Sequence, residues 1–369
     1  MTKSNSIAPV GQYSGSVVSL YSGAGGLDLG FARAGFNAVF ANDIAPDATQ
    51  THKLLHTIQD PQWKDVVGNL AEADVHCDDV RNLSDKFYEG QADLVIGGPP
   101  CQGFSVAGRM DPNDPRSRHV FDFLGLVGRI KPKAFVMENV AALARNKRWK
   151  DVIAQLREEA ALNYKVDLVV LDASEWGVPQ KRLRMFLIGT PLDSPDLDFS
   201  TPPTRDNPPS VREALGQLPT YGEPGNDSLC TAKITMAKNP ILRLSPYAGM
   251  LFNGQGRAIN LDRPAPTLPA SMGGNRTPII DQDALEFNRP AWIEQYHQRL
   301  FVEKRKPFTE LPKDAHLRRL TVEEAGVIQT FPRDTPFQGQ QSSKFRQIGN
   351  AVPPMLGFAV ANAVGKVLS

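Results

Sequence analysis

Between Val17 and about Thr190 the chain alternates short runs of Val, Ile, Leu and Phe with longer amphipathic stretches, and few folds tolerate that alternation. VVSLY from Val17, NAVFA from Asn37, DLVIG from Asp93, KAFVM from Lys133, VDLVVL from Val166 and MFLIG from Met185 have the length and composition of buried strands. Helical stretches such as Leu27 to Ala34 and Lys150 to Leu162 separate them. Parallel strands need a crossover that a helix supplies, so the pattern predicts an α/β fold with a doubly wound, mostly parallel sheet. Ligands of such sheets bind at the carboxyl ends of the strands. Ser22, Asp43, Asp79, Pro100-Cys101 and Glu138-Asn139 fall at those ends.

After Thr190 the pattern dissolves. PLDSPDLDFSTPPTRDNPPS is dense in proline and polar residues and reads as a linker. Residues 191–316 are expected to form this linker and a smaller, irregular, partly β domain. Helical periodicity returns at Thr321 to Gln329, where Thr321 and Glu324 fit a capping box, and again from about Pro353 to Val367. Residues 1–16 are polar and read as a disordered lead-in, 17–190 as the main α/β domain, and 317–369 as a separate C-terminal stretch. No run of ~18 consecutive apolar residues suggests a membrane span.

With 41 Lys and Arg against 40 Asp and Glu the net charge is +1, so nucleic-acid binding would need basic side chains gathered locally. The candidates are Arg109, Arg116 and Arg118; Arg145, Lys147, Arg148 and Lys150; Lys304, Arg305 and Lys306; and Arg318 with Arg319. Each run by itself reads more readily as a solvated face. Three unpaired cysteines, Cys77, Cys101 and Cys230, argue against a disulfide framework and a zinc site, and suit a reducing compartment.

Four places carry chemistry. The strand ending at Tyr21 runs into Ser22-Gly23-Ala24-Gly25-Gly26 and then a helix from Leu27, with Asp43 ending the next strand. Glycines admit a ligand close to the backbone, and an acid about 20 residues on can accept ribose hydroxyls. The spacing does not fit G-x-G-x-x-G, and the pattern alone leaves a dinucleotide and S-adenosylmethionine both open. In GGPPCQGFS, Cys101 follows two prolines on a strand-end loop, with Arg109, Arg116 and Arg118 downstream to favour thiolate. Glu138 and Asn139 end another strand, where burial can turn a carboxyl group into a proton donor. Arg182 and Arg184 stand two apart at a strand entry and so project to one face.

The ordered series SGAGG, GGPPCQGFS, MENV, QKRLR, RRLTVEEAGVIQTFP and QIGNAVPP resembles the DNA (cytosine-5) methyltransferases of prokaryotic restriction-modification systems, from Val17 to the C-terminus. The resemblance implies the Rossmann-like fold of S-adenosylmethionine-dependent methyltransferases, with residues 317–369 returning to the catalytic domain and the last helix packing on it. It implies that Cys101 adds to carbon-6 of a flipped-out cytosine, that Glu138 protonates ring nitrogen 3, and that Arg184 supports the site with Arg182 nearby. It assigns S-adenosyl-L-methionine, without a metal, to Tyr21, Ser22, Gly23, Ala24, Gly25, Gly26, Leu27, Asp43, Ile44, Asp79, Val80, Gly98, Pro100, Asn350 and Ala351. Tyr21 stands where that family often has phenylalanine, which keeps an aromatic face. Between Arg184 and Thr321 it places a target-recognition domain whose best-marked piece is NLDRPAPTLPASMGGNRTP. Thr267, Leu268, Gly273 and Gly274 there, and Gln102, Ser105 and Arg116 after the cysteine, are the residues expected at double-stranded DNA.

The same resemblance implies a monomer in a bacterial or phage cytoplasm, associated with the nucleoid, and a cognate restriction endonuclease without stable contact. Two alternatives stand beside it: an RNA cytosine-5 methyltransferase on the same scaffold, and an inactive DNA-binding homologue. The sizeable variable region weighs against the first, and intact Cys101, Glu138 and Arg184 against the second.

Overall fold

The computed structural model describes residues 11, 13–100 and 118–369. Cys101, Gln102, Ser105, Arg109 and Arg116 lie outside the described residues, as does most of the expected lead-in. Of that lead-in, Gly11 and Tyr13 donate backbone N–H groups to Arg33 and Ala34, and the Tyr13 ring stacks on Phe36.

The N-terminal half runs β1 (Ser16–Leu20), α1 (Gly26–Ala34), β2 (Asn37–Asp43), α2 (Pro46–Lys53), β3 (Asp74–Cys77), β4 (Leu94–Gly97), α3 (His119–Ile130), β5 (Ala134–Val140), α4 (Ala141–Arg145), α5 (Lys150–Ala161), β6 (Lys165–Asp172) and β7 (Leu183–Thr190). These strands form one sheet in the order β3-β2-β1-β4-β5-β7-β6. The ladders from β3 to β5 are parallel, whereas β7 runs antiparallel to both β5 and β6. Chain order reverses between β1 and β4, which opens the crevice where ligands of such sheets sit.

Side chains alternate between two cores, as the pleat requires. Val18, Val95, Phe135 and Met137 pack with Phe123 and Val127 of α3 and Leu156 of α5. Val17, Leu94, Ile96 and Val136 pack on the other face with Leu27 and Phe31 of α1. Gly11 and Tyr13 lie on the α1 side.

Beyond Thr190 come α6 (Val211–Leu215), β8 (Met236–Ile241), β9 (Met250–Phe252), β10 (Ile279–Asp281), α7 (Gln282–Glu286), α8 (Trp292–Phe301), β11 (Leu317–Arg319), α9 (Val322–Ile328), α10 (Gln341–Asn350) and α11 (Pro354–Leu368). Two antiparallel pairs, β8 with β9 and β10 with β11, are the only sheet pairings here among the described residues. Phe252, Ile279, Ile293, Tyr296 and Leu300 make a small core of their own. The capping box at α9 forms as the sequence predicts: the Thr321 hydroxyl accepts the Glu324 N–H, and the Glu324 carboxylate accepts the Thr321 N–H. Leu356, Phe358, Val360 and Val364 of α11 join the α1 core. The two helices touch so closely that a Cβ on Gly30 would lie 2.5 Å from the backbone of Gly357 and Phe358. Gln341–Leu368 is apolar and long enough to cross a membrane by composition, but most of it is buried here against the rest of the chain.

Candidate active site

The glycine loop turns the chain from β1 into α1 at the crevice. Tyr21 takes a left-handed backbone (φ 54°), held by its N–H to Asn42 Oδ1 at 3.3 Å. The Ser22 N–H donates to the Asn42 carbonyl at 2.8 Å. Gly25 caps α1 at φ 78°, a conformation an L side chain resists. A Cβ on Gly26 would meet the Val352 carbonyl at 2.3 Å and the Ala351 methyl at 3.2 Å. The glycine is what lets the Asn350-Ala351 segment, more than 300 residues away in sequence, close against the loop.

Asp43 faces this loop from the end of β2. It accepts the Gly23 N–H at 2.9 Å and the Ala45 N–H at 2.8 Å. Burial pushes its carboxyl up, partly offset by those donors. Ile44 beside it is 67% exposed, an apolar surface with nothing packed over it among the described residues. Asp79 is spoken for by Arg81, whose Nη2 lies 2.6 Å away, and that partner lowers its carboxyl to about 2. Val80 is buried in the core. Tyr21 reaches across to His119, at the head of α3, with its hydroxyl 3.1 Å from Nδ1. Burial raises the Tyr21 phenol, so it stays protonated. His119 escapes sequence reading because nothing in SRHVF sets it apart from an ordinary helix start.

Glu138 lies on β5 opposite Phe186, and the pair two residues on, Val140 with Arg184, puts Arg184 diagonally beside it. Arg184 Nε is 2.7 Å from Glu138 Oε1, and Glu138 is only 9% exposed. Desolvation raises the Glu138 carboxyl, while Arg184 and Arg182 pull it back. A Cβ on Gly98 would stand 3.0 Å from Glu138 Oε2, so a larger residue there would crowd the carboxyl group. Asn139 turns the other way and donates Nδ2–H to the Pro99 carbonyl at 3.1 Å, fixing the backbone two residues before Cys101.

Arg182 sits apart from Arg184 in what it holds. Its guanidinium is buried and donates to the carbonyls of Leu268 at 3.2 Å, Gly349 at 2.7 Å and Ala351 at 3.0 Å. It thereby ties two backbone stretches, at Leu268 and at Gly349–Ala351, to the entry of β7. Leu268 and Thr267 run along the Pro179–Arg182 loop: Thr267 donates its hydroxyl to the Lys181 carbonyl at 2.8 Å, and Lys181 N–H bonds Ala265. Gly273 and Gly274 follow at φ 137° and 51°.

The basic runs divide. Arg318 pairs with Glu324 through two contacts of 2.7 and 2.6 Å, stacks over Tyr221, and also meets Gln282. Arg319 is buried and donates to the carbonyls of Thr277 and Ala232. These two arginines are interior struts, so the expectation that they gather on a DNA-facing surface is corrected. Glu324 stands six residues from Arg318, but Gln282, Tyr221, Thr277 and Ala232 lie too far along the chain for charge density to reveal them.

A family model described as C-5 cytosine-specific DNA methylase matches residues 15–366. The chain belongs to the C-5 cytosine-specific DNA methylases. It is similar to the Type II methyltransferase M1.HphI of Haemophilus parahaemolyticus, 32% identical over 95% of this chain and 86% of that one. It is equally similar to M.HindV of Haemophilus influenzae, 32% identical over 94% and 95%. Among solved structures it superimposes on a prophage-encoded DNA modification methyltransferase of E. coli with TM-score 0.64, at 22% identity over 96% of this chain and 99% of that one. The sheet thus has a counterpart in an experimentally determined methylase fold. In this methylase the described residues of the candidate site come from the ends of β1, β2 and β5, the start of β7, and the turn between α10 and α11.

Proposed function

We propose that this C-5 cytosine-specific DNA methylase methylates a flipped-out cytosine in a specific duplex sequence through a covalent adduct on Cys101, using S-adenosyl-L-methionine. The observation that carries the reading is Glu138, buried at the strand end, gripped by Arg184 and left room by the missing side chain of Gly98. A carboxyl group raised by burial is suited to give a proton or a strong hydrogen bond to ring nitrogen 3.

The Cys101 sulfur would add to carbon-6, forming an S–C bond and moving ring electrons toward carbon-5. Glu138 would stabilise the charge that builds on the ring. Once carbon-5 is alkylated, loss of its proton and expulsion of the thiolate restore the aromatic ring. S-adenosylmethionine supplies the electrophilic methyl group when bound. The residues at the crevice fit it: Gly23 has open space around it, Asp43 offers a carboxylate for ribose hydroxyls, and exposed Ile44 offers an apolar face for the adenine. The Asn350-Ala351 turn against Gly26 would complete the wall. Val80 would contribute only backbone. Arg182 is best read as a positioning residue that holds the recognition segment at Leu268 and the cofactor segment at Ala351 to one frame.

The relatives' Type II naming favours a restriction-modification setting, with a monomeric enzyme acting on DNA in a reducing cytoplasm and its cognate endonuclease making no stable contact. Thr267, Leu268, Gly273 and Gly274 would then face DNA together with the segment after Cys101. Duplex DNA carrying 5-fluorocytosine tests the covalent step, because fluorine replaces the proton that must leave. A denaturation-resistant complex that Cys101→Ser abolishes is expected; a substrate that turns over normally without trapping would overturn it.

A further inference from the structure

The two ends of β5 carry opposite arrangements of basic residues. At the amino end, Lys131 pairs with Glu89 at 2.7 Å and Lys133 with Asp93 at 2.8 Å, so each charge is answered within the protein. At the carboxyl end the chain passes Glu138, enters α4 and delivers Arg145, Lys147, Arg148 and Lys150, all exposed. No carboxylate of a described residue lies within ion-pair distance of Arg145, Lys147 or Lys150. Asp151 follows on α5, but it answers one charge at most and pairs with none of them.

The run is also built rather than loose. Leu143 and Trp149 are both fully buried and pin it at either side. The Asn146 side chain accepts the Arg148 N–H at 3.0 Å and caps the turn between α4 and α5. Two strand steps and five helical ones lead from Glu138 to Arg145, a path of roughly 14 Å at most. That is about four phosphate steps along one DNA strand. Uncompensated cations on a fixed turn at that distance match a polyanion running past the site.

We infer that Arg145, Lys147 and Lys150 form a phosphate-binding ridge that grips the DNA backbone beside the target cytosine. The inference rests on the DNA-methylating reading above and adds where the catalytic domain holds the duplex. Each cation that displaces a counterion steepens the salt dependence of binding by about 0.9 in log–log slope. Lys131 and Lys133, already neutralised, should contribute nothing.

The test measures binding of the full-length enzyme to a short fluorescein-labelled duplex cut from a plasmid that the wild type methylates, across a salt series. The triple variant Arg145→Gln/Lys147→Gln/Lys150→Gln should flatten the slope by about 2 to 3 and Lys147→Gln alone by about 0.9. Lys131→Gln/Lys133→Gln should keep the wild-type slope. Calorimetric binding of S-adenosylhomocysteine checks that each variant is folded, and Lys147→Gln carries the test if the triple variant is not. A folded ridge variant with the wild-type slope, from an enzyme that does methylate the plasmid, overturns the ridge alone. A wild type that neither binds nor methylates duplex DNA overturns the underlying reading and the ridge with it.

Discussion

The sheet region and residues 191–328 hold together by different means. In the sheet, long ladders and two apolar faces determine where each strand goes, and the site residues ride on strand ends. In the second region the strands are three to six residues long, and side chains reaching distant backbone carry much of the organisation. Arg212 donates to the carbonyls of Ala284 and Leu285, Asn226 to Pro219, Asn253 to Met236, and Arg319 to Thr277. The residues proposed for the chemistry thus lie on the part specified by local pattern, while the second region is specified by scattered polar contacts. Such contacts leave room for sequence change in whatever surface reads DNA.

The strongest way to break that comparison is to strike the chemistry without touching either scaffold. Cys101→Ser should lower methylation by at least about 10³-fold, measured with labelled cofactor, while thermal unfolding stays at the wild-type temperature. Glu138→Gln should lower kcat by about 10²- to 10³-fold, with cofactor binding by calorimetry near normal. The wild-type rate should fall as pH rises through the raised Glu138 value, because the proton donor is lost, and the Gln variant should show no such fall. The same shift makes a stability statement. A carboxyl raised by folding contributes fully below the ordinary glutamate range, and that contribution is lost as pH rises through the folded value.

Next in size comes the polar scaffold. Arg318→Met leaves Glu324 buried without its partner and should cost about 3–5 kcal/mol, read by urea unfolding. The surface pair at the sheet offers the contrast: Lys131→Gln should cost no more than about 1 kcal/mol. Equal losses at both places would erase the distinction between the two regions. Smallest is Thr321→Ala, which removes one half of the α9 capping box and should cost about 1 kcal/mol.

Much of the sheet region was legible because short apolar runs, buried on both faces, and glycine punctuation are local signals. Six strands, α1, α5, the Thr321 cap and the last helix were readable in this way. β3 was not, since Asp74–Cys77 is four residues long and only partly buried. Nor was the antiparallel direction of β7, because LRMFLIGT would look the same buried in either direction. At the site, the resemblance brought Glu138, Arg184, the glycine loop and the Asn350-Ala351 turn to one place. Pattern alone could not separate Arg182 from Arg184, two residues on one face of which one meets a carboxylate and the other backbone carbonyls. It also could not distinguish the interior Arg318-Arg319 pair from the exposed Arg145–Lys150 run, since the segments at 221, 232, 277 and 282 that cover the pair are far away in sequence.

Bisulfite sequencing of plasmid DNA from cells expressing this chain, beside the Cys101→Ser variant, tests the central claim most directly. The account predicts methylated cytosines confined to one short sequence in the wild type and none in the variant. Unmethylated DNA from cells containing folded, cofactor-binding wild-type protein, or the same methylation with Cys101→Ser, would contradict it.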